Sequence, residues 1–572
     1  MTAVPPAPGP AFIPIELDAG DASRVEPLVR ALLDRPVESR ADLERWLVDR
    51  SELDAACSEA EAVRYIAMTC RTDDEAVNAE YERFVRETLP RFRRWGNALD
   101  LRQAAHADRF PLDPARYLVL DRDVRSDAAL FRDESVPIHT ELAALGQTYD
   151  QIIGAVTVEF DGQERTTSQM GVFLESPDRA LRERAWRAVA ARRLLDKDRL
   201  EDLFDRMRPL RATLARQAGL DSYVEYAFRS KRRFDYTPAD CARFHDSIAR
   251  VVMPLVREID ESRRRTLGLD AVRPWDAAVD PHGAESLRPF KDGADLAART
   301  RQVFSRLDPR LGELTGELIG GDALDLDSRK GKAPGGYQYM RDRSRRPFIF
   351  MNAAGLARDV RTMVHEVGHA FHSQLTRDEP LVHYRHSCVE FAEVASMSME
   401  LLTMPHWEAF YPAPEDLRRA KREQLEGVAF LLPWVATIDA FQQWIYTHQG
   451  HSPDERRAEW MRLHHLFGRV VDWSGLDEEC AYSWHRQPHL FTSPMYYIEY
   501  GIAQLGALQL WLRSLDEGPA VAVNDYIRAL SLGGSRPLPE LFEAAGIRFE
   551  FGEDLLARLI EALRRELRAL DD

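Results

Sequence analysis

The sequence has few of the features that mark secreted or membrane proteins. It contains only five cysteines in 572 residues, widely spaced and without a CxxC pair, which argues against a disulfide framework and against a thiolate zinc site. It has no apolar run long enough to span a bilayer, and its first residues lack the basic segment and apolar core of a secretory signal. We therefore expect a cytoplasmic protein with reduced thiols and no membrane partner.

The chain also lacks the positive charge that nucleic-acid-binding proteins carry. Its formal net charge is −17 and is spread along the sequence, which makes general affinity for phosphate backbones or anionic membranes unfavourable. Hydrophobic residues make up 45% of the sequence and charged residues 30%, as in ordinary soluble globular proteins. We expect no nucleic-acid partner, and the length allows several domain-sized units.

Most of the chain has helical periodicity. Residues 41–135 have the pattern of successive amphipathic helices, and a second helical region continues to about residue 270. Ser176, Pro177 and Asp178 predict the start of one helix, with Ser176 as its N-cap. Residues 272–291 are rich in Pro, Gly and Asp and have no periodicity, so we expect a surface loop there.

Short β segments interrupt the helical pattern at two places. Residues 156–160 alternate between apolar and polar side chains before an Asp-Gly turn, which predicts a hairpin. Residues 337–340 and 348–351 predict a second hairpin, closed by an arginine-rich turn. We expect these arginines to be solvated, and contact with a substrate carboxylate is the alternative.

The most informative motif is HEVGH at residues 365–369. Apolar residues at helical spacing lie before, within and after the motif, so we expect it to lie on a helix. There, His365 and His369 share one face and can bind the same Zn²⁺. Glu366 is rotated by about 100° from the first histidine, which suits a base that acts on water. HExxH also arises by chance, so a surface helix with two unengaged histidines is the alternative.

A catalytic zinc usually has three protein ligands. The three-histidine pattern HExxHxxGxxH fails, because positions 372 and 375 are His and Leu. The next predicted helix offers Glu390, Glu393 and Glu400, and the last two share a face. Buried carboxylates are costly unless they are paired or bound to metal, but the residues alone do not decide between Glu390 and Glu393.

HEVGHAFH followed by FAEVASMSME resembles the thimet oligopeptidase and oligoendopeptidase F family of zinc metallopeptidases. The resemblance implies one Zn²⁺ per chain, bound by His365, His369 and Glu393. It also implies that Glu400 orients a ligand histidine and that Glu366 is the general base of peptide hydrolysis.

A second segment, WHRQPHLFTSPMYYIEYGIAQ, is similar to the family's histidine followed by a pair of tyrosines. The resemblance implies that Tyr496 stabilises the oxyanion with support from His489, and that Tyr500 contacts substrate. This chain has two more residues between His489 and Tyr496 than the thimet oligopeptidase branch, and Ala503 replaces a further tyrosine of that branch. The oligoendopeptidase F branch is therefore the closer match.

The resemblance implies a mainly α-helical, elongated fold with a deep central substrate channel and a small β-sheet beside the active site. It implies an N-terminal helical region at residues 1–195 and a catalytic domain at 196–572. The expected activity is internal cleavage of short, unstructured peptides, with an edge strand such as 348–351 holding the substrate backbone. The alternatives are a zinc exopeptidase of the dipeptidyl carboxypeptidase type, a catalytically silent peptide-binding protein and a purely structural helical protein.

Overall fold

The computed structural model describes residues 12–333 and 335–571, and these residues are mainly helical. The first half of the chain forms the helices α1 (Ala22–Asp34), α2 (Arg40–Cys70), α3 (Glu75–Arg83), α4 (Leu89–Arg109), α5 (Pro114–Leu130), α6 (Ser135–Gly154), α7 (Thr167–Leu174), α8 (Arg179–Leu194), α9 (Lys197–Gln217), α10 (Tyr223–Ser230), α11 (Pro238–Ser247) and α12 (Met253–Thr266). Within the predicted loop that follows, residues 272–291, the structure has one short helical turn, at Pro274–Asp276.

The second half of the chain is also mainly helical. It forms the helices α13 (Gly293–Leu307), α14 (Pro309–Ile319), α15 (Ala357–Leu375), α16 (Val382–Arg385), α17 (Val389–Leu402), α18 (Pro414–Thr447), α19 (Pro453–Phe467), α20 (Asp477–Ala481), α21 (Pro488–Thr492), α22 (Ile498–Asp516), α23 (Pro519–Leu530), α24 (Leu538–Ala544) and α25 (Glu553–Ala569). None of the helices in the described part of the chain combines the length and apolar character needed to cross a bilayer.

Two small sheets accompany the helices. The predicted hairpin near residue 160 is confirmed as β1 (Thr157–Phe160) and β2 (Gln163–Thr166), which pair antiparallel. A second sheet has three strands in the order β3-β5-β4, namely β3 (Leu324–Asp327), β4 (Tyr337–Arg341) and β5 (Arg346–Ala353). The mainly α fold with a small sheet near the motif helix is therefore confirmed.

Two local predictions were wrong. The segment 348–351 is not an edge strand, because β5 pairs with β3 on one side and with β4 on the other. The helix predicted to start with Ser176 as its N-cap begins at Arg179 instead. Its N-cap is Asp178, whose carboxylate accepts hydrogen bonds from the backbone N–H groups of the second and third helical residues.

The chain divides into two compact units, each built from three segments. One unit contains the described residues through Ala129, Arg288–Leu417 and Gly506–Phe549. The other contains Leu130–Leu287, Arg418–Leu505 and the residues from Glu550 onward. The boundary predicted between residues 195 and 196 stays a prediction.

Helix α15 lies at the centre of the first unit, packed against α17 and β5. Its apolar face is fully covered, with Val360, Val364 and Val367 each 0% exposed. The contact with α17 is so close that a Cβ atom at Gly368 would lie 2.6 Å from the Cα atom of Ser396. Only glycine fits there, and this close approach brings the polar side chains of the two helices together.

Candidate active site

The two motif histidines and one glutamate of the next helix converge on a single point. Nε2 of His365 lies 3.4 Å from Oε2 of Glu393, and Nε2 of His369 lies 3.6 Å from the same oxygen. One ligand atom from each residue lies within 4.8 Å of the other two. The helical spacing predicted from HEVGH therefore holds in the structure, and α17 brings the carboxylate to the imidazoles.

These distances fit a metal ion. Two ligand atoms at about 2.1 Å from a tetrahedral ion lie about 3.4 Å apart, close to the separations between Glu393 and the two imidazoles. Two imidazole nitrogens and one carboxylate oxygen also form a ligand set that catalytic zinc uses with a fourth position left for water. The three side chains can therefore hold a divalent metal with no change in the positions of α15 and α17.

Two further side chains fix the orientation of these ligands. Nδ1 of His365 lies 2.7 Å from Oε1 of Glu400, one of the residues predicted at this site. The hydroxyl of Ser396 donates to Oε2 of Glu393 at 3.0 Å. Outer hydrogen bonds of this kind set the ring tautomer and the tilt of a ligand. Ser396 lies in the segment FAEVASMSME that carries the family resemblance, but sequence reasoning gave it no role.

Glu390, the other carboxylate that the sequence left open, is not one of the three side chains that converge. It is 2% exposed, so burial alone does not separate it from Glu393, which is 6% exposed. The two residues are three positions apart on α17, so Glu390 lies nearly one helical turn before Glu393 and about 60° away around the axis. Position on the helix, not burial, selects Glu393.

The electrostatics of the site give Glu393 and Glu366 very different pKa values. Burial acts to raise the pKa of Glu393, but the hydrogen bond from His365 and the charge of His369 outweigh it and lower the pKa to about 2. Burial raises the pKa of Glu366 to about 7, and the charge of Glu393 adds to this effect. Glu393 is thus held as a carboxylate, whereas Glu366 can take up and release a proton near neutral pH.

The three other predicted site residues cluster together in the second unit. The ring centroid of His489 lies 5.5 Å from that of Tyr496 and 6.2 Å from that of Tyr500. The two tyrosine rings are 5.3 Å apart, and Nζ of Lys231 lies 5.1 Å from the centre of the Tyr496 ring. The predicted grouping of one histidine and two tyrosines is present, with Lys231 as a neighbour that sequence reasoning missed.

The turn before Tyr496 is held by buried hydrogen bonds. Met495 has a left-handed backbone with φ +61°, a conformation that costs a non-glycine residue about 1 kcal/mol. Its backbone N–H donates to Oε1 of Gln442 at 2.5 Å, and its carbonyl accepts from the buried Arg233 guanidinium. These contacts fix the backbone before Tyr496, and helix α22 then carries Tyr500.

Comparison with known proteins gives consistent matches. The model of peptidase family M3 matches residues 172–560. The oligoendopeptidase F homologue of Borreliella burgdorferi is 22% identical over 454 residues, covering 74% of this chain and 72% of that protein. The oligopeptidase PepF of Bacillus subtilis is 24% identical over 310 residues, covering 53% of this chain and 45% of that protein.

Solved structures extend the similarity to nearly the whole chain. A crystal structure described as an oligoendopeptidase F has a TM-score of 0.89 and 28% identity, covering 98% of both chains. PZ peptidase A with an inhibitor has a TM-score of 0.88 and 25% identity, covering 98% of this chain and 99% of the other. The family match includes the histidines of α15, the glutamates of α17 and the tyrosines near α22, and on this evidence the chain belongs to peptidase family M3 and is a peptidase.

Proposed function

We propose that this peptidase is a zinc metalloendopeptidase that cleaves internal bonds of short, unstructured peptides. The observation that carries this proposal is the convergence of His365, His369 and Glu393 beside the buried carboxyl group of Glu366. The two histidines and Glu393 would bind Zn²⁺. When bound, the ion supplies Lewis acidity that polarises the scissile carbonyl and lowers the pKa of water at the site.

Glu366 performs the proton transfers in this proposal. Its carboxylate accepts a proton from the water that attacks the carbonyl carbon, and the resulting carboxylic acid then protonates the leaving amine. Burial raises the pKa of Glu366, which makes its carboxylate a stronger base than a solvated glutamate. The backbone N–H of Gln338 in β4 opposes this rise by favouring the ionised form.

The aromatic cluster supplies hydrogen-bond donors in the same proposal. The hydroxyl of Tyr496 and the imidazole N–H of His489 would donate to the oxyanion that forms when water adds to the carbonyl. Tyr500 would contact the bound peptide. A single donor to an oxyanion typically stabilises the transition state by about 3 to 4 kcal/mol. The resemblance to the family and the grouping of the three rings support these roles.

Strand β4 is a better candidate than the segment 348–351 in β5 for pairing with a peptide backbone. It is an edge strand of its sheet. The backbone N–H of its residue Gln338 forms a hydrogen bond with the Glu366 carboxyl group. An extended peptide bound along β4 would gain main-chain hydrogen bonds that do not depend on its side chains. A scan of N-methylated peptides tests this arrangement, because methylation at a paired position should raise KM, and a scan without any sensitive position would contradict it.

The main experiment uses peptides of graded length, capped at both ends, with products read by mass spectrometry. Internal cuts confined to short peptides are the expected result. Glu366→Gln is the matched variant, and it should retain zinc while losing most of the turnover. An active Glu366→Gln enzyme would contradict the proposed chemistry.

Two other outcomes would favour the remaining alternatives. Cleavage that starts only after the C-terminus is freed would indicate a zinc exopeptidase of the dipeptidyl carboxypeptidase type. Complete inertness of the zinc-loaded protein, with peptide still bound, would indicate a peptide-binding protein that has lost catalysis.

A further inference from the structure

His365 and His489 contact hydrogen-bond partners of opposite kinds, a carboxylate that accepts and an amide nitrogen that donates. A neutral imidazole carries one N–H donor and one lone pair, and the partner of one nitrogen determines the state of the other. Nδ1 of His365 lies 2.7 Å from Oε1 of Glu400, and an ionised carboxylate only accepts. Nδ1 of His365 therefore carries a hydrogen, and in the neutral ring of a metal ligand this leaves the lone pair on Nε2.

The Nδ1 atom of His489 contacts a side-chain amide instead of a carboxylate. The side-chain nitrogen Nε2 of Gln487 lies 2.7 Å from Nδ1 of His489, and an amide nitrogen only donates. Nδ1 of His489 must then accept, so the hydrogen of a neutral ring lies on Nε2. Gln487 is only 7% exposed, which limits the replacement of this contact by water.

The surroundings keep the ring neutral and the amide oriented. Burial lowers the pKa of His489, and the positive charge of Lys231 lowers it further. The ring of Tyr497 packs edge-on against His489 at 5.0 Å, and its hydroxyl accepts from Nε1 of Trp434 at 3.2 Å.

The amide of Gln487 also belongs to the surroundings of Tyr497. Burial raises the pKa of Tyr497, while hydrogen bonds with Trp434 and Gln487 oppose the rise. The nitrogen of the Gln487 amide is the atom that lies 2.7 Å from Nδ1 of His489.

We propose that Gln487 is a positioning residue that fixes His489 as the tautomer with hydrogen on Nε2, so that this ring presents a donor where His365 presents a lone pair. This role rests on the proposed function, in which His489 donates to the oxyanion of the substrate. Gln487 touches no reacting atom itself and acts only through the imidazole.

Substitution of the amide by a carboxylate should reverse the tautomer. In Gln487→Glu the side chain would accept from Nδ1 of His489, which moves the hydrogen of the neutral ring away from Nε2. Gln487→Met keeps a similar volume and removes the donor, so the ring should populate both tautomers. Gln449→Glu makes the same chemical change at an exposed residue and is the control.

The test uses the full-length zinc-loaded protein labelled with ¹⁵N-histidine, in which the ring nitrogen shifts report the tautomer directly. The signals of His489 are those missing from His489→Gln. We expect hydrogen on Nε2 in the wild type and in Gln449→Glu, and a changed tautomer in both Gln487 variants. Hydrogen on Nδ1 in the wild type, or an unchanged tautomer in both Gln487 variants, would overturn the proposal.

Kinetics with a capped peptide separate this inference from the proposed function. Gln487→Glu should lower kcat by about 10- to 100-fold with little change in KM, because a donor to the transition state is lost. A changed tautomer with unchanged kcat would support the control of His489 by Gln487 and overturn the catalytic role of His489. An inert wild type would count against the proposed function alone, since the tautomer is measured without turnover.

Discussion

Glu400 contacts the proposed metal site through the ring of His365. Its Oε1 atom lies 2.7 Å from Nδ1 of that histidine, so Glu400→Gln removes a charge-assisted hydrogen bond and leaves the ligand set intact. We expect zinc affinity to fall by about 10- to 100-fold, measured by competition with a chromogenic chelator. Glu540→Gln, at an exposed position, should bind zinc as the wild type does. Equal affinity in both variants would show that Glu400 does not support the ligand.

Tyr496 contributes through a single hydroxyl group in the proposed mechanism. Tyr496→Phe keeps the ring, so packing against His489 at 5.5 Å between centroids should persist. We expect kcat for a capped peptide to fall by about 10²- to 10³-fold with KM little changed, because the lost donor acts on the transition state. Tyr482→Phe is the control, and a Tyr496→Phe enzyme of normal kcat would remove Tyr496 from the mechanism.

Single residues show what a sequence can and cannot indicate. HEVGH specifies both the residue types and their helical spacing, so the positions of His365 and His369 could be predicted. The choice of Glu393 depended on family resemblance, because the neighbouring Glu390 is equally buried. Gln487 could not be predicted, since a hydrogen bond between residues two positions apart follows no periodic pattern.

At the scale of secondary structure, the contact between α15 and α17 determines whether the ligands meet. Gly368→Ala would place a Cβ atom 2.6 Å from Cα of Ser396 and 2.7 Å from the carbonyl oxygen of Ala395. Both neighbours are backbone atoms, so the helices must separate. Overpacking of this kind costs about 1 to 3 kcal/mol, more than the gain of about 1 kcal/mol in helix propensity. We therefore expect a lower midpoint in urea denaturation and weaker zinc binding.

Gly427→Ala in α18 is the matched control for this prediction. No atom lies within 4 Å of a Cβ built at Gly427, so only the propensity gain applies. The urea midpoint should stay the same or rise, with zinc binding unchanged. A Gly368→Ala protein that behaves like this control would show that the two helices can separate without cost.

Helices and strands could be predicted where apolar residues recur with a regular period, but their ends were harder to predict. Helix α15 has an apolar stripe over its whole length, and the alternation before residue 160 specifies β1. The start of α8 was misplaced because Ser176 and Asp178 are both good N-caps and only the backbone geometry selects the second. The central place of β5 depends on a parallel pairing with β3, which has no local sequence signal.

For the molecule as a whole, metal binding should contribute to stability. A ligand that binds only the folded state stabilises it by about 4 kcal/mol at a free concentration of 1,000 times Kd. We expect a chelator to lower the thermal midpoint of the wild type and added Zn²⁺ to restore it, as measured by scanning calorimetry. Glu393→Ala lacks a ligand, so its midpoint should respond little to either treatment. An equal response in both proteins would place the stabilising ion elsewhere.

The division of the chain into two units, each built from three segments, could not be predicted from the sequence. Composition and net charge predict a soluble, folded chain, but they do not indicate which distant segments pack together. In the first unit, for example, the hydroxyl of Tyr526 donates to the carbonyl of Ala395 at 2.9 Å across 131 positions of sequence. Contacts of this range follow from the packing of several helices at once, and no periodic pattern records them.

The same contact has a consequence for how the protein is made. The ribosome synthesises the chain from its N-terminus, so α17 emerges well before α23. The hydrogen bond from Tyr526 in α23 to the carbonyl group of Ala395 in α17 can therefore form only late. The unit that holds the two histidines and Glu393 is complete only once Gly506–Phe549 has followed. A nascent chain therefore carries all three donor side chains before the last segment of their unit has been made, so the proposed metal loading would be a late step of biosynthesis.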